Sequence, residues 1–178
     1  MTNTYETNTR TSTSGGRLVT GLFPDRDSAE AAYASTHARG YTGDDVNVVM
    51  SDDTRKRHFG DTADGHDSEL GNKAAKGAGI GGTVGAIAAA IAAVGTSLVL
   101  PGLGLVVAGP LAAAIAGAAG GGLIGGLIGM GMPEERVKEY DEGVRNGGIL
   151  MGVHAKTDED AAHFENHWRT TGGQKVYR

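Results

Sequence analysis

His163 and His167 stand four residues apart in DEDAAHFENHWRTT. On a helix that spacing puts two imidazoles on one face, where both can reach a single metal ion. Glu159 lies one further turn back and offers an oxygen ligand. A solvated polar helix face explains the same three residues and is the preferred reading, so His163 and His167 stand only as candidates and no metal set is assigned. His58 and His66 fall among Asp61, Asp64 and Asp67, carboxylates that solvation also accounts for. His37 and His154 are isolated. GAGIGG (77–82) satisfies G-x-G-x-x-G, but the preceding GNKAAK is no strand and the next acidic residue is Glu134. Both supports of a dinucleotide fingerprint are missing. Lys73 does not follow the Gly spacing of a phosphate loop. The chain has no cysteine, which excludes a disulfide framework and thiolate metal sites. With no nucleophile, base and acid in a recognisable set, the expectation is a non-enzymatic protein without cofactor or small-molecule substrate.

The elements that carry these residues read clearly. RLVTGLF (17–23) is a strand, with Leu18 and Leu22 on one face and Val19 and Phe23 on the other. SAEAAYASTHAR is a helix whose inner stripe is Ala29, Ala32, Tyr33 and Thr36, with Asp27 and Glu30 as a capping-box-like pair. Gly40 stops it. DVNVVM (45–50) is a second strand, with Val46, Val48 and Met50 alternating. Pro133 fits the first position of a short extra helix, PEERVKEYDEGVR, closed by Gly147 and Gly148. ILMGVHA (149–155) is a third strand. Thr157 caps the helix that bears the two histidines and turns Ala161, Phe164 and Trp168 inward. QKVYR (174–178) is a last short strand. The order predicts an α+β fold, a ferredoxin-like βαββαβ sandwich with both main helices on one face of a four-stranded sheet. The expected organisation is a disordered polar tail (1–16), a split domain (17–51 plus 133–178), a flexible acidic linker (52–72) and an apolar Gly-zipper helical hairpin (73–132) inserted between the second and third strands. A short linker in place of 72–131 is then expected to leave a folded domain.

GLFPDRDSAEAAYASTHARGYTGDDVNVVM and GGILMGVHAKTDEDAAHFENHWRTTGGQKVY together resemble the two halves of the bacterial heat-induced or general-stress protein domain, the YflT-like family. The shared pattern is a Gly-aromatic strand, an Ala-rich helix, a Gly-Tyr turn, an acidic pair and a Val-rich strand. It covers about 70 of the 178 residues. The resemblance implies a stress-response setting and no catalytic signature. Some relatives carry Gly-rich apolar insertions and are treated as membrane proteins.

Residues 77–133 carry no charge, and hold 17 Gly and 14 Ala. Ile80, Val84, Ile87, Ile91, Val94 and Leu98 recur at spacings of 4 and 3, a helix period with a coiled-coil-like seam. Gly77, Gly81 and Gly85 run beside it. Gly117, Gly121, Gly125 and Gly129 form a second small-residue ladder. Each interior Gly costs a helix about 1 kcal/mol against Ala, and the recurrent compensation is close approach of packed helices. Two helices, 74–98 and from Pro110 to Met130, make a hairpin. Its second arm is about 31 Å long, near bilayer thickness. Lys73 and Lys76 before it, and Arg136 and Lys138 after it, put both ends on the cytoplasmic side. The connector LVLPGLGLVVAG (98–109) is apolar where a hairpin tip on the far side of a membrane needs polar residues.

The two charged pieces hold 9 Lys/Arg against 12 Asp/Glu and 7 against 9, too acidic a balance for nucleic acid. The expected partners are membrane lipid and other copies of the chain. The expected location is the cytoplasmic membrane with the charged domain in the cytoplasm. The alternatives are a cytoplasmic oligomeric scaffold with hairpins packed at its centre, and a pore-forming hairpin protein.

Overall fold

Six short strands pair into one antiparallel sheet in the order β3-β4-β2-β5-β1-β6. The structure, a computed structural model, describes residues 17–59, 87, 98–100, 104–110, 112, 115 and 122–178. The expected tail at 1–16 lies outside the described residues.

β1 (Leu18–Phe23) opens the fold, with Val19 and Phe23 in the core on one face and Leu18 and Leu22 against the other. α1 (Arg26–Ala38) follows. Its cap is Asp25, not the expected Asp27 and Glu30 pair. Asp25 sits in extended backbone and accepts the Ser28 N–H at 2.8 Å, the geometry an N-cap needs. That places Asp27 in the first turn and leaves Glu30 buried. Gly40, at φ +81°, ends the helix.

β2 (Val46–Ser51) runs straight into α2 (Asp52–Phe59). This helix replaces the first part of the expected linker at 52–72, and residues 60–72 lie outside the described residues. Its cause is local. Ser51 Oγ accepts the Thr54 N–H at 3.1 Å, and Asp52 pairs with Arg55 at 3.0 Å and Lys56 at 2.8 Å. Acidic residues in the first turn and basic ones in the last suit the helix dipole.

β3 (Leu98–Leu100) and β4 (Leu105–Ala108) form an antiparallel ribbon, and β4 pairs with β2 from Val48↔Ala108 to Ser51↔Leu105. The expected helical arm ending at Leu98 is therefore corrected there: Leu98 belongs to a strand. The described residues of the apolar connector extend the sheet. Gly109 at φ +97° turns the chain so close to the Val46 carbonyl that a β-carbon has no room. α3 (Gly122–Gly129) and α4 (Glu134–Arg145) follow, with Pro133 one position earlier than expected, as the N-cap. The expected arm from Pro110 to Met130 is not one helix, because Gly122 has φ +51°. β5 (Ile149–His154) takes the centre of the sheet, against β1 (Leu18↔His154) and β2 (Val46↔Val153). α5 (Asp158–Thr170) is capped by Thr157, as read from sequence, with the Asp160 N–H donated at 3.0 Å. β6 (Gln174–Tyr177) edges β1.

The sheet has a core on each face. Val19, Phe23, Val48, Met50, Met151 and Val153 pack with Ala29, Ala32 and Tyr33 of α1 and Ala161, Phe164 and Trp168 of α5. Leu22, Val49, Leu105, Val107 and Leu150 pack with Leu123 and Leu127 of α3 and Val137, Tyr140 and Val144 of α4. Burial on both faces explains why β2, β4 and β5 are nearly all apolar. It also corrects the boundary drawn at 73–132: described residues of that segment build the sheet and both cores. No helix among the described residues is long and apolar enough to cross a membrane.

Candidate functional site

The apolar segment meets α1 at a buried carboxylate. Ala29, Ala32, Tyr33 and Thr36 give α1 a mostly small inner face, and Glu30 beside them is only 4% exposed. Glu30 Oε2 accepts the backbone N–H of Ile87 at 3.0 Å, a bond between residues 57 apart in sequence. The Ile87 side chain is fully buried in the core under α1 and α5. Arg26, one turn before Glu30, holds its Nε 3.6 Å from Oε1. The same guanidinium donates to the His58 carbonyl at 2.6 Å and lies 4.9 Å from the Phe59 ring. α1, α2 and the apolar segment thus converge on one charged pair. Burial, and secondarily the Glu30 charge, pushes the Tyr33 hydroxyl above its ordinary 10.0.

The second contact is on the opposite face of the sheet. α3 buries Leu123, Gly126 and Leu127, and a β-carbon at Gly126 would stand 2.5 Å from Ile115 Cγ1. Beside it, Leu18, Thr20, Asn47, Val49, Leu127, Met130 and Met132 border a cleft of about 10 Å³. That is room for about one water, against roughly 300 Å³ or more for a small-molecule site.

A polar cluster joins the end of α1 to the start of α5. The Tyr41 hydroxyl donates to Asp160 Oδ2 at 2.8 Å and accepts the Lys156 N–H at 2.6 Å. Arg39 pairs with Asp160. The Tyr41 bond, ahead of those from Thr157 and Arg39, holds the Asp160 carboxyl below the ordinary carboxylate value, while burial pushes the Tyr41 hydroxyl up. Lys156 Nζ sits 3.3 Å from Asp45 and 4.4 Å from the Tyr41 ring centre. Each charge here meets its opposite, so the cluster fastens elements together.

His163 and His167 do share a face of α5. Their rings stack 5.7 Å apart at 6°. Burial, then the charge of Arg39 and the neighbouring His167, pulls the His163 imidazole below 6.5. The Arg39 charge that disfavours the imidazolium would also oppose a cation placed there. Among the described residues no group of three or more His, Asp or Glu converges on a metal position.

Of the expected packing residues, Gly77, Gly81, Gly85, Gly117 and Gly121 lie outside the described residues, as do Ile80, Val84, Ile91 and Val94. Ile87 is helical and buried. Gly125 is half-buried. Gly129 is exposed, and a β-carbon there meets nothing within 4 Å. The close approach on α3 falls instead at Gly126, which the ladder skipped. Its signal was present, since Leu123, Gly126 and Leu127 stand at i, i+3 and i+4, the pattern of a buried helix face. Comparison with family models, with curated proteins and with solved structures found no match for this chain.

Proposed function

We propose that the chain is a non-enzymatic stress-response protein. In this reading a ferredoxin-like domain carries the Gly/Ala-rich segment as its interaction element. The segment tethers the protein to the cytoplasmic membrane and binds other copies of itself. The observation that carries the proposal is the uncharged stretch 77–133, with Lys73 and Lys76 on one side and Arg136 and Lys138 on the other. A segment of that composition is stable only away from water. The stress setting rests on the resemblance of the two strand–helix halves. Support for the βαββαβ reading comes from the order β2-β5-β1-β6, antiparallel throughout, with α1 and α5 in one core.

A second reading has its own observation. Ile87, Leu105 to Ala108, Ile115, Leu123 and Leu127 are buried against the charged domain. That favours an oligomeric scaffold, with the segment held by protein instead of lipid. Cell fractionation without detergent, followed by alkaline extraction of the membranes, separates the two. The tether requires an extraction-resistant membrane pool. A discrete particle confined to the supernatant would replace it with the scaffold. Accumulation of the protein after heat or salt shock tests the stress setting.

A further inference from the structure

We propose that the Met130 thioether is a site of reversible oxidation by peroxide, and that the cleft over Gly152 takes up the oxygen the sulfur gains.

Met130 and Met132 flank Gly131 and face different surroundings. The chain turns after α3 at Gly131, which has φ +87°. The Gly131 N–H donates to the Ile128 carbonyl at 2.8 Å and the Met132 N–H to the Leu127 carbonyl at 3.2 Å, the paired bonds of a Schellman cap. The turn sends Met132 into the second core, 8% exposed, and leaves Met130 half-buried against it. Met50 and Met151 are 1% and 0% exposed. Oxidation of a side-chain sulfur follows access of the oxidant, so among these four the Met130 sulfur is the one peroxide reaches first. The sulfur attacks one peroxide oxygen and the O–O bond breaks. The departing hydroxide takes the proton of the transferred oxygen and leaves as water. Sulfur is oxidised to the sulfoxide and peroxide is reduced.

A sulfoxide is a polar acceptor, and a polar group set in an apolar core is costly without a hydrogen bond. Beside Met130 the sheet supplies both room and polarity. Thr20, Gly152 and Asn47 are neighbours across β1, β5 and β2. All three border the cleft of about 10 Å³ that Met130 also borders. Thr20 and Asn47, 2% and 3% exposed, bring a hydroxyl and an amide to its edge. Gly152 contributes no side chain. A β-carbon there would meet Thr20 Cγ2 at 3.6 Å and Leu18 Cδ1 at 3.7 Å, ordinary contacts, so Gly152→Ala narrows the cleft without a clash.

Three forms of the full chain are exposed to hydrogen peroxide while folded: wild type, Gly152→Ala, and Gly152→Ala with Met130→Leu. Peptide mass spectrometry, with fragmentation to separate Met130 from Met132, reads where oxygen enters. Met130 must gain it at least about tenfold faster than Met50, Met132 and Met151, which react only as the fold opens. Equal rates overturn the site. Urea midpoints before and after peroxide read the cleft. Wild type must keep its midpoint, and Gly152→Ala must lose stability on oxidation. Adding Met130→Leu must remove that loss. An equal shift, or none, in wild type and Gly152→Ala overturns the cleft, as does a loss that survives Met130→Leu. Methionine sulfoxide reductases acting on both epimers must then restore the wild-type mass and the Gly152→Ala midpoint. A mass they cannot lower overturns reversibility.

Discussion

Ile115 lies against Gly126 so closely that a β-carbon on the glycine would stand 2.5 Å from its Cγ1 and 3.1 Å from its Cα. Turning the Ile115 side chain relieves only the first of these contacts; the second is backbone and must give by a few tenths of an ångström. Gly126→Ala should therefore cost about 1–3 kcal/mol, the usual penalty for overpacking. Gly129→Ala meets open space and should be neutral or stabilising by up to about 1 kcal/mol. Urea unfolding of the two variants checks the order. Equal effects would mean that neither glycine marks a packing contact.

Replacing 98–131 with a Gly/Ser linker should abolish the native fold, whereas the strand order alone predicts that a short linker in place of all of 72–131 leaves a folded domain. The excision removes Leu105, Val107, Leu123 and Leu127 from the core they share with Leu22, Val49 and Leu150. Burying each such side chain contributes roughly 1.5–3 kcal/mol. Four of them approach the whole stability of an ordinary domain, about 5–15 kcal/mol. Dye binding and near-ultraviolet dichroism should report a loose or aggregated product. A cooperative melt near that of the full chain would show that the second core is dispensable.

Acid should weaken the fold first through His163. Its imidazole is depressed below the ordinary 6.5, by burial foremost. As pH falls below 6.5 the unfolded chain takes up this proton before the folded one, so the native state loses ground. The contribution is fully present above 6.5 and fades as pH drops toward the lower folded value. Unfolding midpoints at about pH 7.5 and about pH 5.5 should differ less in His163→Gln than in wild type. An unchanged difference assigns the acid sensitivity to other groups.

Base should act through Tyr140. Its hydroxyl lies 2.7 Å from Thr20 Oγ1 and donates to the Lys175 carbonyl at 2.9 Å. Burial pushes it up to about 12 from 10.0. A group raised in the folded state contributes stability below its unfolded value, and that contribution fades as pH climbs from 10.0 toward 12. Tyr140→Phe should cost about 1–2 kcal/mol at neutral pH and flatten the alkaline decline. Phenolate absorbance, followed with unfolding, checks both parts.

Where neighbours in sequence decide the structure, the sequence was legible. The alternation of Val19 with Leu18 and Leu22 places them in opposite cores, and Thr157 caps α5 as its hydroxyl and position require. The ribbon at 98–108 was not legible, because an uncharged run of Leu, Val and Ala is compatible with a buried helix or a buried strand. Leu98 kept a helical spacing and still became a strand residue, since β2 offered β4 an edge to pair with. α2 was hidden by polarity: DDTRKRHF reads as linker until Asp52 is seen bonding forward to Arg55 and Lys56. Glu30 was hidden by distance. Its partner is 57 residues away, and no local pattern marks a carboxylate for burial.

The place of β5 in the sheet has a consequence of timing. β5 lies between β1 and β2 and pairs with both, yet it is made after them and after the whole uncharged run. A chain growing on the ribosome has the strand ribbon to set against β2 but no bridge between β2 and β1 until Ile149–His154 emerges. Throughout that interval the most water-averse third of the molecule has been synthesised, while the part of its seat that Val137, Tyr140, Val144 and Leu150 supply has not. Assembly dominated by such distant pairings is slow, and half-made chains of this kind adhere to one another. The half-made chain is therefore the form with the most apolar surface still to cover, and β5 is the strand whose arrival joins the two halves of the sheet.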